Sequence, residues 1–324
     1  MNCSFCTNKK IRNDITSSSS NSLTLRDIKQ IIKEAALNSS FLYLIGGEPL
    51  IFKDIVKVLS YIKEENICAS LTSNGLLVEK YAIEIINTLS FISISIDGGS
   101  ADIHDTLRGS KGCFDKTVKG INELIRLRGN NILPNIKIAT VITKSNIDNL
   151  PEIYKLCKDL KVDEWQISHN CFYSQKIIDS NLEFEKKYHS GKNIEGQFID
   201  SLNYLDDDEI SLLIEKINSI LNNSTNDNLI ITIHPPLNSN NIYPYYQGKS
   251  PKNIKSLCDL PFNRLTVRGN GDVELCQGVI VGNIYKNSLK ECWSSKEAEY
   301  FRGLIKDKKF TPACYRCCEL RFSL

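Results

Sequence analysis

The sequence has no long apolar run and no marked excess of charge, and both absences exclude classes of protein. Its 324 residues carry 40 Lys and Arg against 38 Asp and Glu, which leaves a formal net charge of +2. Because both signs are scattered, a nucleic-acid surface is not expected as the main partner. No apolar stretch approaches the ~20 residues of a membrane span, and no basic segment followed by an apolar one opens the chain. We therefore expect a cytoplasmic protein with no membrane partner.

Cysteine is the residue type that the sequence has in unusual number. Twelve cysteines are many for a chain without a secretion signal, and in a reducing compartment clustered cysteines hold metal more often than they form disulfides. A pair lies at the start and a larger group in the last quarter. The pair is Cys3 and Cys6, and the group is Cys258, Cys276, Cys292, Cys314, Cys317 and Cys318. We interpret Cys68, Cys157 and Cys292 as small buried hydrophobic residues.

Stretches typical of strands and of helices alternate for some 165 residues. Most of the strands are apolar runs, which is typical of parallel strands covered on both faces. We expect strands at 41–45, 67–72, 91–96, 136–142 and 164–168, and helices at about 24–36, 53–65, 77–88, 114–128 and 147–160. Residues 100–112 are expected to form a loop. In parallel sheets the chemistry lies at the carboxyl ends of the strands, where the turns Gly46-Gly47-Glu48, Ser73-Asn74-Gly75 and Asp97-Gly98 fall.

Beyond residue 171 the pattern changes. Residues 172–257 are polar and rich in Asn and Ser, with a helix expected near 207–221 and a strand at 229–233, and we interpret them as a connector. A new unit is expected from Cys258 onward, with a hairpin of strands 264–267 and 273–275 and a helix at about 294–305. The sequence thus predicts three parts, residues 1–171, 172–257 and 258–324.

The opening residues resemble part of a known motif. Cys3-Ser4-Phe5-Cys6 is similar to the end of C-x3-C-x2-C in the radical S-adenosylmethionine (SAM) enzymes, where an aromatic residue precedes the last cysteine. Three thiolates of that motif bind a [4Fe–4S] cluster, and SAM binds the fourth iron. The first cysteine would lie four residues before Cys3, so we expect that the chain begins inside the motif and lacks the first barrel strand. Taken alone, the pair is better interpreted as a chance C-x2-C or half of a zinc site.

Three further stretches resemble the same family and reverse that interpretation. Gly46-Gly47-Glu48-Pro49 matches its GGEP motif, which implies that these residues hold the amino group of SAM; a short acidic turn is the alternative. Thr72-Ser73-Asn74-Gly75 resembles its T-x-G strand end, although Asn-Gly is also a common turn. Ser95, Asp97, His104-Asp105 and Arg108 fit its pattern S-x-D-G … H-D-x-x-R-G. The resemblance implies that Ser95 and Asp97 face SAM or substrate and that Arg108 meets the SAM carboxylate, whereas each of His104 and Arg108 alone is equally well a surface loop residue.

The C-terminal cysteines resemble the twitch, or shortened SPASM, domain that some radical SAM enzymes carry. The resemblance implies that Cys258, Cys276, Cys314 and Cys317 ligate an auxiliary [4Fe–4S] cluster, whose closed ligand set suits electron transfer. Cys318 leaves the identity of the fourth ligand open. A structural zinc site with four thiolates is the alternative.

Together the resemblances imply an α/β fold, a partial (β/α)6 TIM-like barrel whose first strand is missing, with a small C-terminal α+β cluster-binding domain. They imply reductive cleavage of SAM to a 5′-deoxyadenosyl radical, hydrogen abstraction from a peptide or protein substrate, and oxidation through the auxiliary cluster. The electrons would come from a donor such as flavodoxin or ferredoxin. A small-molecule carbinol dehydrogenase of the same superfamily and an inactive SAM- or substrate-binding remnant are the alternatives.

Overall fold

The computed structural model describes residues 1–3, 5, 22–171, 173–189, 191, 205–238, 240–247, 249 and 258–317. The chain divides into two compact units. The first contains Leu25–Asn170 and Asp207–Ile233 together with the first residues, and the second contains Cys171–Asp206 and the residues from His234 onward. The predicted connector is therefore shared between the two units, and the three-part division of the sequence stays a prediction.

Nine strands form two sheets in the described part of the chain. A six-stranded sheet has its strands in chain order, and a three-stranded sheet follows near the C-terminus. The strands are β1 Leu42–Leu44, β2 Ala69–Ser73, β3 Phe91–Ser95, β4 Asn135–Val141, β5 Glu164–Ser168, β6 Ile230–His234, β7 Thr266–Val267, β8 Asp272–Cys276 and β9 Val279–Asn283. Neighbouring strands from β1 to β5 pair in parallel, and β7 to β9 pair antiparallel. The predicted α/β fold with a small C-terminal domain is confirmed.

Eleven α-helices accompany these strands within the described residues. They are α1 Leu25–Leu37, α2 Ile55–Glu64, α3 Ala82–Thr88, α4 Ala101–Arg108, α5 Cys113–Arg128, α6 Leu150–Leu160, α7 Gln175–Tyr188, α8 Asp207–Asn223, α9 Ile242–Tyr246, α10 Leu289–Trp293 and α11 Lys296–Lys308. Each of the predicted helices of the first unit is present, with bounds that differ from the expected ones by up to five residues, the largest difference being at the start of α3. None of the helices among the described residues has the length and apolar character needed to span a membrane.

The two faces of the large sheet differ in polarity. Leu71, Ile92 and Ile136 are paired in register on neighbouring strands, and each is 0% exposed, so this face packs against the helices. On β4 the alternate residues are only half-buried, and one of them, Lys137, forms an ion pair of 3.2 Å with Glu164. The second face of β4 is therefore only partly covered, and it includes the polar residues Asn135 and Lys137.

The loop predicted over residues 100–112 is wrong for its first half, which is helix α4. Its buried residues His104, Leu107 and Arg108 recur at helical spacing, a pattern that the polar composition of the stretch conceals. The helix ends at Gly109, whose φ of +58° is a left-handed conformation that favours glycine. Helix α4 therefore occupies most of the stretch between the end of β3 and the start of α5.

The second unit has its own apolar core beneath the antiparallel sheet. Val273, Val279 and Phe301 are at most 2% exposed and pack with Cys292, which confirms that Cys292 is a core residue. Cys157 is likewise buried. The prediction for Cys68 is wrong, because this residue precedes β2 and its thiol is exposed. Helix α7 and strand β9 were not predicted.

Replacing Gly75 with Ala is expected to destabilise the first unit by about 2–4 kcal/mol. Gly75 has a φ of +90°, and a β-carbon there would lie 2.3 Å from Oγ1 and 2.7 Å from Cβ of Thr117, which is itself fully buried. Urea unfolding of the variant and the parent measures the loss of unfolding free energy. The control is Gly303→Ala in helix α11, where a β-carbon meets no atom within 4 Å and the change is expected to be neutral or stabilising. Equal effects of the two substitutions would contradict this account of the turn.

Candidate functional site

Glu48 joins the turns that follow β1 and β2. Its Oε1 accepts hydrogen bonds from the hydroxyl of Ser73 at 3.0 Å and the amide of Leu50 at 3.2 Å, and its Oε2 accepts one from the amide of Asn74 at 2.6 Å. Burial raises the pKa of Glu48, while the hydrogen bonds from Asn74, Leu50 and Ser73 act in the opposite direction. The carboxylate therefore fixes the two strand ends against each other, as their positions in a parallel sheet predicted.

The backbone at Gly46 and Gly47 is open on the side where other residues carry a side chain. A β-carbon at either position would meet no atom within 4 Å. Pro49 begins a single turn of 3-10 helix, Pro49–Ile51, which the Glu48 side chain caps. This arrangement leaves peptide groups accessible beside a fixed carboxylate, as a site for an amino-acid portion of a ligand requires.

Asp97 follows β3 and is 0% exposed. Its Oδ1 accepts a hydrogen bond of 2.8 Å from the amide of Val141, at the end of β4. Its Oδ2 lies 2.5 Å from a guanidinium nitrogen of Arg108. Burial raises the pKa of Asp97, and the charge of Arg108 opposes this. The carboxylate thus binds two groups of the protein, and the direct contact of Asp97 and Ser95 with SAM or substrate stays a prediction.

Arg108 ends helix α4 and reaches the first residues of the chain. Its guanidinium lies 3.9 Å from the sulfur of Cys3 and 5.4 Å from the centre of the Phe5 ring. Burial alone lowers the pKa of Arg108, but Asp97 and Cys3 outweigh it, so that the net shift is upward. The second cysteine of the pair, Cys6, lies outside the described residues.

His104 and Asp105 have structural roles beside this group. The Nδ1 of His104 accepts a hydrogen bond of 3.1 Å from the amide of Asp97, and Asp105 accepts bonds from the Cys113 thiol at 3.2 Å and the Phe114 amide at 2.9 Å at the start of α5. Burial, together with the charge of Arg108, lowers the pKa of His104 to about 4. The alternative that His104 and Arg108 are surface loop residues is wrong, because both are buried.

Sequence reasoning missed Asn146, which supports the end of β3 from the next loop. Its side-chain amide donates to the carbonyls of Asp97 at 3.0 Å and Val141 at 2.9 Å, and its oxygen accepts from the amide of Thr143. A buried Asn that holds three backbone groups fixes the loop after β4. The signal in the sequence for this role was weak, because Asn146 is a single Asn in a polar turn, two residues after a Lys.

Four cysteines lie near one another in the second unit. Burial raises the pKa of Cys258 to about 11, and thiolate charge at Cys314, Cys276 and Cys317 adds to the effect. Tyr173, which sequence reasoning missed, is 3% exposed and packs with Ala313, next to Cys314. Cys318 lies outside the described residues, so the choice between it and Cys317 stays open.

A single zinc ion and a [4Fe–4S] cluster require different spacings of four thiols. Among the described residues, no three His, Cys, Asp or Glu side chains are placed closely enough to hold one metal ion. Four thiolates on one zinc lie about 4 Å apart, since each Zn–S bond is about 2.3 Å. In a [4Fe–4S] cluster each thiolate binds a different iron, and the sulfurs stand further apart.

Comparison with known proteins identifies the class of protein to which this fold and site belong. The model of the radical SAM superfamily matches residues 1–170, and that of the SPASM iron–sulfur cluster-binding domain matches residues 258–318. The chain therefore belongs to the radical SAM superfamily and carries a C-terminal SPASM domain. These two domains imply iron–sulfur clusters and SAM binding.

Curated relatives share part of the chain. An AdoMet-dependent heme synthase of Methanosarcina barkeri is 32% identical over 164 residues, 49% of this chain and 44% of that protein. The mycofactocin maturase MftC of Mycolicibacterium smegmatis is 28% identical over 137 residues, 41% of this chain and 34% of that protein. The chain thus spans less than half the length of these relatives.

Among solved structures, Streptococcus suis SuiB bound to its precursor peptide SuiA has the same fold. The TM-score is 0.64 at 17% identity, with 99% of this chain and 67% of that chain covered.

The residues of the chain fit the implied groups to different degrees. Cys258, Cys276, Cys314 and Cys317 could provide the four thiols that an auxiliary cluster needs, and this ligand set stays a prediction. At the N-terminus, Cys3 and Cys6 could provide two of the three thiolates of a SAM-binding cluster, and that assignment also stays a prediction. Glu48 with the open backbone of Gly46 and Gly47 fits the amino-acid portion of SAM.

Stability of the chain is expected to fall as the pH is lowered from about 6.5 towards 4. His104 and His169 are buried, and burial lowers their pKa values to about 4 and about 3. Because the unfolded chain binds protons near pH 6.5 and the folded chain does not, their contribution is complete above that pH and is lost below it. Between pH 7 and pH 5, His104 is expected to lower the free energy of unfolding by about 2 kcal/mol.

The test compares urea unfolding at pH 7 and pH 5 in the parent and in His104→Asn. The Asn oxygen can still accept the hydrogen bond from Asp97, but it does not titrate. The variant is expected to lose less stability on acidification than the parent. An identical loss in both proteins would show that His104 is not buried in its neutral form.

Proposed function

We propose that the chain is the catalytic part of a radical SAM enzyme that matures a peptide or protein substrate. The observation that carries the proposal is Glu48 beside the open backbone of Gly46-Gly47 in the first unit. The charge of Arg108 acts on Glu48, and its guanidinium also lies 3.9 Å from the Cys3 sulfur. A group of four cysteines in the second unit supports an auxiliary electron acceptor.

In this proposal Glu48 binds the amino group of SAM. Its carboxylate is already fixed by Ser73, Leu50 and Asn74, so little conformational freedom is lost when the ligand binds. Ser73 and Asn74 act by orienting Glu48, and Phe5 covers the guanidinium of Arg108. A [4Fe–4S] cluster at Cys3 and Cys6, completed by a further ligand, supplies the electron for reductive SAM cleavage when it is bound.

The substrate is proposed to be a peptide. Two similarities support this choice, one to a protein named mycofactocin maturase and one, in fold, to SuiB with its precursor peptide. Cys258, Cys276, Cys314 and Cys317 would hold the auxiliary cluster, which would supply an electron acceptor for such a reaction. Flavodoxin or ferredoxin is the proposed reducing partner.

A small-molecule substrate is the second candidate. The similarity to a protein named AdoMet-dependent heme synthase favours it, since that relative has the higher identity of the two. A carbinol dehydrogenase belongs to the same class of candidates. A peptide substrate and a small-molecule substrate are distinguished by an activity assay on the reduced protein with SAM. A short peptide encoded beside the gene is added in one reaction and a simple diol in another, and the release of 5′-deoxyadenosine is measured. Stimulation by the peptide supports the proposal, and stimulation by the diol alone contradicts it.

Glu48→Gln is expected to weaken SAM binding by about tenfold or more, since a hydrogen bond to a charged group is lost. The substituted amide keeps the size of the side chain but replaces an acceptor with a donor. Anaerobic calorimetric titration with SAM measures the affinity. Glu79→Gln is the matched control, because Glu79 forms an exposed ion pair with Lys119. Unchanged affinity in Glu48→Gln would contradict the assigned site.

Anaerobic reconstitution of the protein, expressed from the full reading frame that contains it, is expected to yield about eight irons and sulfide in equal amount. Reduced protein with SAM is then expected to release 5′-deoxyadenosine. Cys276→Ala should lower the iron to about four, because one cluster loses a thiolate, whereas Cys68→Ala removes an exposed thiol and should change nothing. About four irons in the parent with no 5′-deoxyadenosine would indicate a remnant, and zinc without iron would indicate a structural zinc protein.

A further inference from the structure

The end of helix α4 contacts the first residues of the chain through its backbone. We define the N-terminal cysteine segment as Met1–Cys3 with Phe5. The amide of Asn2 donates a hydrogen bond of 3.1 Å to the carbonyl of Arg108. At Gly109 a β-carbon would lie 2.6 Å from the carbonyl oxygen of Asn2, so the close approach of these two backbones requires glycine.

The Arg108 side chain contacts the same segment at two further points. One guanidinium nitrogen lies 3.9 Å from the Cys3 sulfur. The guanidinium also lies 5.4 Å from the centre of the Phe5 ring, within range of a cation–π interaction. One residue thus contacts the segment at a backbone amide, a sulfur and an aromatic ring.

Asp97 determines where the guanidinium points. Its carboxylate lies 2.5 Å from the second guanidinium nitrogen, and the amide of Val141 fixes its other oxygen. Asp97 is 0% exposed and Arg108 is 8% exposed. A buried pair of this kind is costly to separate, because each charge would be left unpaired in a poorly solvated place. The planar fork of Arg108 therefore has one orientation, with its other arm towards Cys3.

We propose that Arg108 is a positioning residue for the N-terminal cysteine segment, and that Asp97 holds it in the orientation this requires. The sequence resemblance implied another role, a contact with the SAM carboxylate. In the structure the two terminal nitrogens of Arg108 are directed at Asp97 and Cys3 instead. The proposal concerns the iron-free chain, so it stands or falls independently of the proposed function.

Hydrogen exchange of the iron-free protein tests the proposal. An N-terminal tag is retained, so that residues 2–5 fall inside one proteolytic peptide. In Arg108→Gln the amides of this peptide are expected to exchange about tenfold faster or more. Arg108→Lys is expected to give an intermediate exchange rate, since an ammonium keeps the charge but lacks the planar fork of the guanidinium.

Two further variants keep the test decisive. Because Arg108→Gln leaves Asp97 unpaired in the interior and can unfold the first unit, Asp97→Asn/Arg108→Gln removes both charges together and is expected to give the same local loss of protection. Arg128→Gln is the matched control, since Arg128 is also 8% exposed and pairs with Asp163, a residue outside the segment. It should leave exchange in residues 2–5 unchanged.

The two roles of Arg108 predict opposite results. If it positions the segment, the double variant loses protection in residues 2–5 with no SAM present. If exchange there is unchanged in the double variant while the affinity for SAM falls, Arg108 is a SAM contact and the proposal is overturned. Equal acceleration in Arg128→Gln would also overturn it, because the effect would then be a general loss of stability.

Discussion

The buried ion pair between Asp97 and Arg108 connects parts of the first unit that are distant in the sequence. Asp97 stands at the end of β3, its other oxygen binds the amide of Val141 at the end of β4, and Arg108 closes helix α4 against Cys3. Two charges without water are stable only when each is well paired. The pair therefore requires the ends of β3 and β4 and the helix between them to keep one arrangement.

A second carboxylate does the same for the neighbouring strands. Glu48 fixes the turn after β1 to the end of β2 through Ser73 and Asn74. Parallel pairing places all these strand ends at one rim. Glu48 holds the ends of β1 and β2 there, and Asp97 holds the ends of β3 and β4. Asp97 pairs with Arg108 and the Val141 amide, whereas Glu48 lies beside open backbone, where we propose that it binds a ligand.

The sequence predicted the strands of the sheet and the motif positions well, because both depend on local patterns. Apolar runs of about five residues mark buried strands whatever their neighbours are. The hydrogen-bond and ion-pair partners of the buried side chains could not be predicted in the same way. The bond from Val141 to Asp97 spans 44 positions and depends on strand register, and the sequence alone does not show that Cys3 lies beside Arg108. Helix α4 was missed since its buried face contains His and Arg. Cys68 was expected to be buried, but it lies directly before the first residue of β2 and is exposed.

We propose that the rim at Gly46-Gly47-Glu48 is the SAM site of a radical SAM enzyme. A crystal structure of the reconstituted protein grown anaerobically with SAM tests it most directly. The account predicts the amino group of SAM within hydrogen-bond distance of the Glu48 carboxylate and the open backbone beside it. SAM bound elsewhere, with Glu48 contacting only Ser73, Leu50 and Asn74, would contradict it.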